Sequence, residues 1–233
     1  MLFDGDNDYV NCGNVASSNG ATEASWSFWF KSNTSSITDA FGKWNFGEKQ
    51  IRIFMNIDAT PRLNVRLSQD GTTDLSAFDN LNIPSLMTGN WQHCAIVFDG
   101  SLSGAARCKV YIDDVAISNS ASSAPSSLFS SVSNFLIGTR IDLPPPVLPW
   151  SANIDEFSIW DKALTPSEVS EIYNSNEPDD LVEHSTSGNL KNWWRMGDDA
   201  TWDGTDWTIP DKIGPNDGTS VNMAFGGVST DVP

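Results

Sequence analysis

Along most of the chain, apolar side chains fall at every second position in short runs, and each run is closed by turn-forming residues. "KQIRIFMNI" (49–57) and "RLNVRLS" (62–68) have this period, and "DATP" joins them. "ASWSFWFKS" (24–32) sets Trp26, Phe28 and Phe30 against Ser25, Ser27 and Trp29, which predicts that Trp29 is covered on a second face. "NWQHCAIVFDGS" (90–101) and "RCKVYIDDVAIS" (107–118) form the strongest hairpin pair, with "DGSLSGAA" supplying the turn. "YVNCGNV" (9–15) and "NFLIGTR" (134–140) add further strands. A period of two puts alternate side chains on opposite faces of a strand, so the pattern specifies stacked antiparallel sheets with a shared interior. With 39% hydrophobic residues and ten tryptophans in 233 residues, that interior can be large. Four prolines within "IDLPPPVLPW" (141–150) cannot sit in a ladder and read as a stiff exposed loop.

One segment breaks the pattern. In "NIDEFSIWDKALTPSEVSEIYN" (153–174), Ile154, Phe157 and Ile159 read as the buried face of a strand ending at Trp160. Thr165, Pro166 and Glu168 then supply a cap, a helix-starting proline and the capping-box acid. Val169, Ile172 and Tyr173 share one helical face, as a short helix closing one end of a sandwich requires. Beyond it, "LKNWWRMGDD" (190–199) reads as a strand, and "ATWDGTDWTIPDKIGPNDGTSVNM" (200–223) as short strands between turns. The expected division is a sandwich over 1–178 and a strand-rich extension over 179–233 that packs on it or on a neighbouring copy, because so short a piece is marginal alone.

Thirteen basic against 30 acidic residues give a net charge of −17. Such a surface repels phosphate backbones and anionic lipid, which argues against nucleic-acid partners and membrane insertion. No apolar run is long enough for a transmembrane helix. Asp4 interrupts anything resembling a secretory leader, so synthesis in a cytoplasm and release by lysis are expected. Cys12, Cys94 and Cys108 have no metal spacing; Cys94 and Cys108 are either bridged across neighbouring strands or, with Cys12, simply buried thiols. Asp4, Asp6 and Asp8 begin like a calcium loop, but Tyr9 and Val15 stand where an EF-hand needs glycine and a bidentate acid.

"LFDGDNDYV", "SWSFWFK", "GNWQHCAIVFDGS", "KVYIDDVAI", "FLIG" and "IDEFSIWDKALTPSEVSEIYN", in that order over residues 2–174, resemble the laminin-G-like, concanavalin-A-like jelly rolls. The resemblance implies an all-β sandwich of two antiparallel sheets, with the closing helix as architecture. Two features depart from it. Asp113-Asp114 replaces the Asn-Gly or Asp-Gly of the hairpin turn, which predicts a looser turn. The tail, "LVEHSTSGNLKNWWRMGDD…", is similar to the lead-in that family members carry before their first strand, which implies a permuted order. That tail, the absent leader and the acidity also resemble proteins of marine tailed bacteriophages. The resemblance further implies one calcium ion held by Asp155 with Asp4 or Asp6 and turn carbonyls; the alternative is that these acids only cap turns. His93 falls where the family has a structural core histidine.

Catalysis is not expected. Glucanases of this fold place two acids on one face of a strand, two or four residues apart. Asp155 and Glu156 are adjacent, which predicts opposite faces, and Asn153 and Phe157 leave the second acid missing. Trp150, Trp202 and Trp207 lie in loop contexts and are either packing plugs or platforms for sugar rings, whose C–H faces stack on indoles. Of the adjacent Trp193 and Trp194, one ring should point inward and the other outward toward a partner, and Trp194 is the candidate partner contact. The function expected is that of a non-catalytic virion surface protein, assembling with copies of itself or other virion proteins and binding host glycans. The alternative is a calcium-dependent carbohydrate-binding module, with glycoside hydrolysis third.

Overall fold

The computed structural model describes residues 1–32, 37–56, 61–80, 82, 83, 86, 89–140, 148–229, 232 and 233. Sixteen strands and one α-helix are assigned among them. The smaller sheet has seven strands: β1 (Leu2–Asp4), β12 (Ser151–Trp160), β3 (Glu23–Ser32), β8 (Gln92–Asp99), β9 (Cys108–Ile112) and β10 (Val115–Ile117) in that order, with β13 (Leu190–Trp194) also on β12. The larger sheet has nine. Their order is β14 (Thr201–Trp202), β15 (Trp207–Ile209), β16 (Gly218–Val221), β2 (Tyr9–Asn11), β11 (Leu136–Ile137), β4 (Ile37–Lys43), β5 (Lys49–Asn56), β6 (Arg62–Gly71) and β7 (Leu75–Asn80). All named pairs are antiparallel, so the expected all-β, two-sheet sandwich is what the chain forms. Residues 141–147 of the expected proline loop and 58–60 of the "DATP" turn lie outside the described residues.

The alternation read from the sequence sorts side chains as expected. Phe28 and Phe30 of β3, Ile51 and Ile53 of β5, and Leu63 and Val65 of β6 meet in one buried cluster between the sheets. Phe28 stacks on Phe157 at 5.5 Å and meets Phe41 edge-on at 5.7 Å, geometries that add to simple burial. A second cluster lies outside the smaller sheet, where α1 (Pro166–Tyr173) lays Val169 and Ile172 over Trp160, Val97 and Tyr111. The cap is the one the sequence specifies: the Glu168 N–H donates to Thr165 Oγ1 at 3.3 Å and the Thr165 N–H to Glu168 Oε2 at 2.8 Å. Trp29 is covered by the stacked Tyr173 ring, 5.9 Å away.

Several local expectations are corrected. Asp113 and Asp114 adopt the left-handed conformation at φ 49° and 65°, but the turn is pinned rather than loose. Asp113 accepts the His93 N–H at 2.8 Å, and Asp114 accepts Ser170 Oγ of the helix at 2.8 Å. For the cysteines, the buried-thiol alternative is the one that holds: Ile112 faces Cys94 and Phe98 faces Cys108, four residues out of step, and all three thiols are free and buried. Trp150 is no platform: it is fully buried against Phe28 and Phe30, with its indole N–H donating to Ser32 Oγ at 3.2 Å. Trp194 does not face outward either. It stacks on Phe135 in the central core, while Trp193 joins the cluster beneath the helix, so both rings are buried by their own chain.

Both sheets take strands from the tail. β13 extends the edge begun by β1, since the two lie along successive halves of the same side of β12. β16 pairs with β2 and carries β15 and β14 beyond it. Between these strands, Asp211 accepts from Asn192 Nδ2 (2.6 Å) and from the backbone N–H groups of Trp193 (3.0 Å), Ile213 (3.2 Å), Gly214 (3.0 Å) and Asn216 (3.3 Å). One buried carboxylate thus organises the turn-rich part of the tail.

Candidate functional site

The two sheets differ in what lies on their outer faces. Helix and tail cover the smaller sheet. On the larger one, neither buried apolar cluster among the described residues lies outside the strands. The register fixes what this face presents. With Ile51, Ile53, Leu63, Val65 and Leu67 turned inward, the outward positions hold Arg52 and Phe54 on β5 and Arg62, Asn64 and Arg66 on β6. Asp39 of β4 lies opposite Phe54.

These residues form a connected array. Asp39 is fully buried and takes Arg52 Nε at 2.6 Å and Arg140 Nε at 3.0 Å. The Arg52 and Arg66 guanidinium groups both lie over the Phe54 ring, 4.8 and 5.9 Å from its centre. Arg66 Nε donates to Asn64 Oδ1 at 2.7 Å, and Asn64 Nδ2 to Ser76 Oγ at 3.0 Å. Beside the array lies a hollow of about 250 Å3 lined by Trp44, Asn45, Ser133, Asn134 and Leu136. Gly42 joins the two: it faces Arg52 and Leu136 across its neighbouring strands, and a Cβ there would sit 3.6 Å from the Cβ atoms of both Trp44 and Arg140. Trp44 is itself buried beneath Lys49, 5.4 Å from its ring centre, so what this region offers a polyhydroxylated ring is the Asn45 and Asn134 amides and the Arg52 and Arg66 guanidinium groups, through paired hydrogen bonds.

Trp202 and Trp207 come together at the edge of this sheet. Their rings are 5.3 Å apart, and Phe225 stacks on Trp207 at 5.7 Å with 68% of its surface exposed. Trp207 is buried and Trp202 half-buried, so Phe225 is the exposed ring of the trio. The sequence reading missed Phe225.

The acids at the end of β12 occupy a β-bulge. Asp155 faces Trp29 and Ser158 faces Ser27, which leaves Glu156 and Phe157 opposite Phe28 alone; Glu156 takes φ 50°. The extra residue breaks the alternation that predicts opposite faces. Ile154 and Phe157 both enter the core, and Asp155 and Glu156 both turn away from it. Glu156 accepts the Trp193 indole N–H at 2.6 Å and Arg195 Nε at 3.2 Å, so the bulge anchors β13. Burial is the main reason both acids are held above their ordinary range, Asp155 at about 6 and Glu156 at about 7, and Asp155 also repels Glu156. The folded chain therefore binds these protons more tightly than the unfolded one. Their stabilising contribution is complete below about pH 4 and is lost as pH rises through about 7. Between about pH 5 and about pH 8, Glu156→Gln should flatten the fall in melting temperature relative to the parent chain, as read by calorimetry.

The strand register does not set Asp4 beside Asp155. β1 pairs with β12 so that Asp4 lies opposite Ser151, four residues before Asp155, a separation of ~13 Å along the strand. One cation cannot bridge that distance at calcium–oxygen bond lengths. Asp4 Oδ1 instead accepts the Asp6 N–H at 2.8 Å, and Asp8 accepts the Asp4 N–H at 3.1 Å. His93 is buried and hydrogen-bonded to Ser27 Oγ at 2.7 Å, and burial lowers its pKa to about 3, which keeps it neutral.

No curated protein matches the chain. Solved structures share its fold. A Bacteroides ovatus ATCC 8483 protein, provisionally named carbohydrate-binding, is 15% identical with a TM-score of 0.65; the match covers 96% of this chain and 58% of that one. The native heptameric SAP-like pentraxin of Limulus polyphemus is 18% identical with a TM-score of 0.57 over 73% and 79% of the two chains. The CBM40 of Ruminococcus gnavus IT-sialidase, solved bound to alpha2,3 sialyllactose, is 12% identical with a TM-score of 0.56 over 74% and 94%. At these identities the likeness is one of fold. The family model for laminin-G-like domains of the concanavalin A-like lectin/glucanases superfamily matches residues 4–170, and the chain belongs to that family.

Proposed function

We propose that this chain is a carbohydrate-binding module whose ligand lies along the outer face of the nine-stranded sheet, between the Trp44 hollow and the Arg52–Arg66 array. The observation that carries this reading is the inequality of the two outer faces. One is sealed by Trp160, Trp193 and the helix, while the other carries an ordered polar array in which Asp39 and Asn64 are buried and Arg52, Phe54 and Arg66 are half-buried. Ordering so many polar groups at a surface is a cost that packing alone does not require. The lectin-like fold, and the solved relative holding a sialylated sugar, support the same class of ligand. The reading is non-catalytic: Glu156 is occupied by Trp193 and Arg195, and Asp155 accepts the Glu156 N–H at 3.0 Å. The virion role rests on sequence resemblance alone, and tail strands that complete their own sheets do not require a neighbouring copy. Calcium at Asp4, Asp6 and Asp155 has no part in the proposal.

Gly42→Phe tests it. Gly42 is buried, and a Cβ there meets nothing closer than 3.5 Å, so the first atom of a new side chain is accommodated and the ring beyond it crowds the space between hollow and array. On an oligosaccharide array, the parent chain should retain at least one glycan and Gly42→Phe should weaken that binding at least about tenfold; because a ring at this buried position also costs stability, Asn45→Ala, at a half-buried residue of the hollow, should weaken binding in the same direction while melting close to the parent. A parent chain that retains no glycan, or full retention by the variant, refutes the site.

A further inference from the structure

We infer that the Arg52–Arg66 end of this groove receives the carboxylate of an acidic sugar carried on an otherwise neutral glycan; the inference rests on the carbohydrate-binding reading above. The chain has six arginines, at 52, 62, 66, 107, 140 and 195, and four of them, Arg52, Arg62, Arg66 and Arg140, gather on this face. Across the whole protein acids outnumber bases 30 to 13, whereas among the described residues of this face four arginines stand with Asp39, Asp74 and Asp79. Arg52 and Arg66 stand directly opposite each other in register. Like charges so placed repel and lower stability, unless an anion lies between them. The buried Asp39 is taken up by Arg52 and Arg140 together. Arg66 has Asp74 at 3.5 Å with 39% of that side chain exposed, a solvent-screened contact that a ligand carboxylate can replace. Phe54 holds both guanidinium planes from below, and Asn64 takes Arg66 Nε, which orients the planar fork that binds a carboxylate through two parallel hydrogen bonds. The net charge of −17 opposes polyanions at long range, so the fitting ligand bears an isolated carboxylate and seats its neutral rings toward the Asn45 and Asn134 amides of the hollow.

Calorimetric titration with two matched pairs tests this: 3′-sialyllactose against lactose, and xylo-oligosaccharides with and without a glucuronic acid branch. The acidic member of at least one pair should bind at least about tenfold more tightly than its neutral partner, and added salt should erode the preference. Which pair responds identifies the acid. Arg66→Gln should abolish the preference with little change in melting temperature, because 30% of the Arg66 side chain is exposed, and Arg66→Lys should restore it only in part. Equal binding of acidic and neutral partners overturns the inference and leaves the carbohydrate reading standing. Binding of neither pair, by a chain that retains no glycan on the array, overturns both.

Discussion

Deletion of residues 180–233 should leave a chain that does not reach a cooperative fold. The deletion removes Leu190, Trp193, Trp194, Met196, Trp207, Ile209 and Met223, all buried. Complete burial of one large apolar side chain is worth roughly 1.5–3 kcal/mol, so together they exceed about 10 kcal/mol, comparable to the whole stability of an ordinary domain. The loss is also structural. Half the edge of β12 is uncovered, β2 loses its β16 neighbour, and Phe135 and Phe157 lose the Trp194 ring. Near-ultraviolet circular dichroism, reporting the packed indoles, should collapse, and a hydrophobic dye should bind. A truncated chain melting cooperatively at the parent temperature would show that residues 1–179 are self-sufficient and that the tail is an appendage.

Asp211→Ala should be the most damaging single substitution in the tail. Its carboxylate accepts five hydrogen bonds, four of them from backbone N–H groups that have no freedom to turn elsewhere. A buried donor left without an acceptor costs about 1–3 kcal/mol, and even with partial relaxation the sum should be at least about 3 kcal/mol. For a chain of this size that lowers the melting temperature by about 6–12 °C. Asp211→Asn keeps one acceptor oxygen but turns an amide nitrogen toward N–H groups, so it should fall between. Urea unfolding at neutral pH gives both values, and a loss below about 1 kcal/mol for Asp211→Ala would contradict the role assigned to this residue.

What the sequence disclosed and what it hid follow from the range of the interactions concerned. Strands with a clean period, such as β3, β5, β6 and β8, were legible because one face is buried between the sheets. The helix was legible from its cap. β4 and β7 were not read, since "ITDAFGK" and "LSAFDN" mix polar and small residues and are extended mainly because β5 and β6 pair with them. The bulge at Glu156 was invisible because nothing local marks it; a glutamate with positive φ is held there by Trp193 and Arg195, some forty residues later in the chain. The same reason leaves Trp150 open between plug and platform in the sequence and makes Trp194 a false partner contact, as the loop or strand around a residue does not reveal which sheet closes over it. The arginine face did leave a signal. With Ile51, Ile53, Leu63, Val65 and Leu67 turned inward, alternation alone sends Arg52, Arg62 and Arg66 to one outer surface, an unusual concentration in so acidic a chain.

A glycan held on the outer face of the nine-stranded sheet must perturb the backbone beneath it. The most direct test is backbone amide chemical-shift mapping on the labelled full chain, titrated with a pool of neutral and singly acidic oligosaccharides. The account predicts saturable shifts centred on Asp39, Gly42, Arg52, Phe54 and Arg66. Shifts centred instead on Trp202 and Phe225, or on the helix side of the molecule, would contradict it.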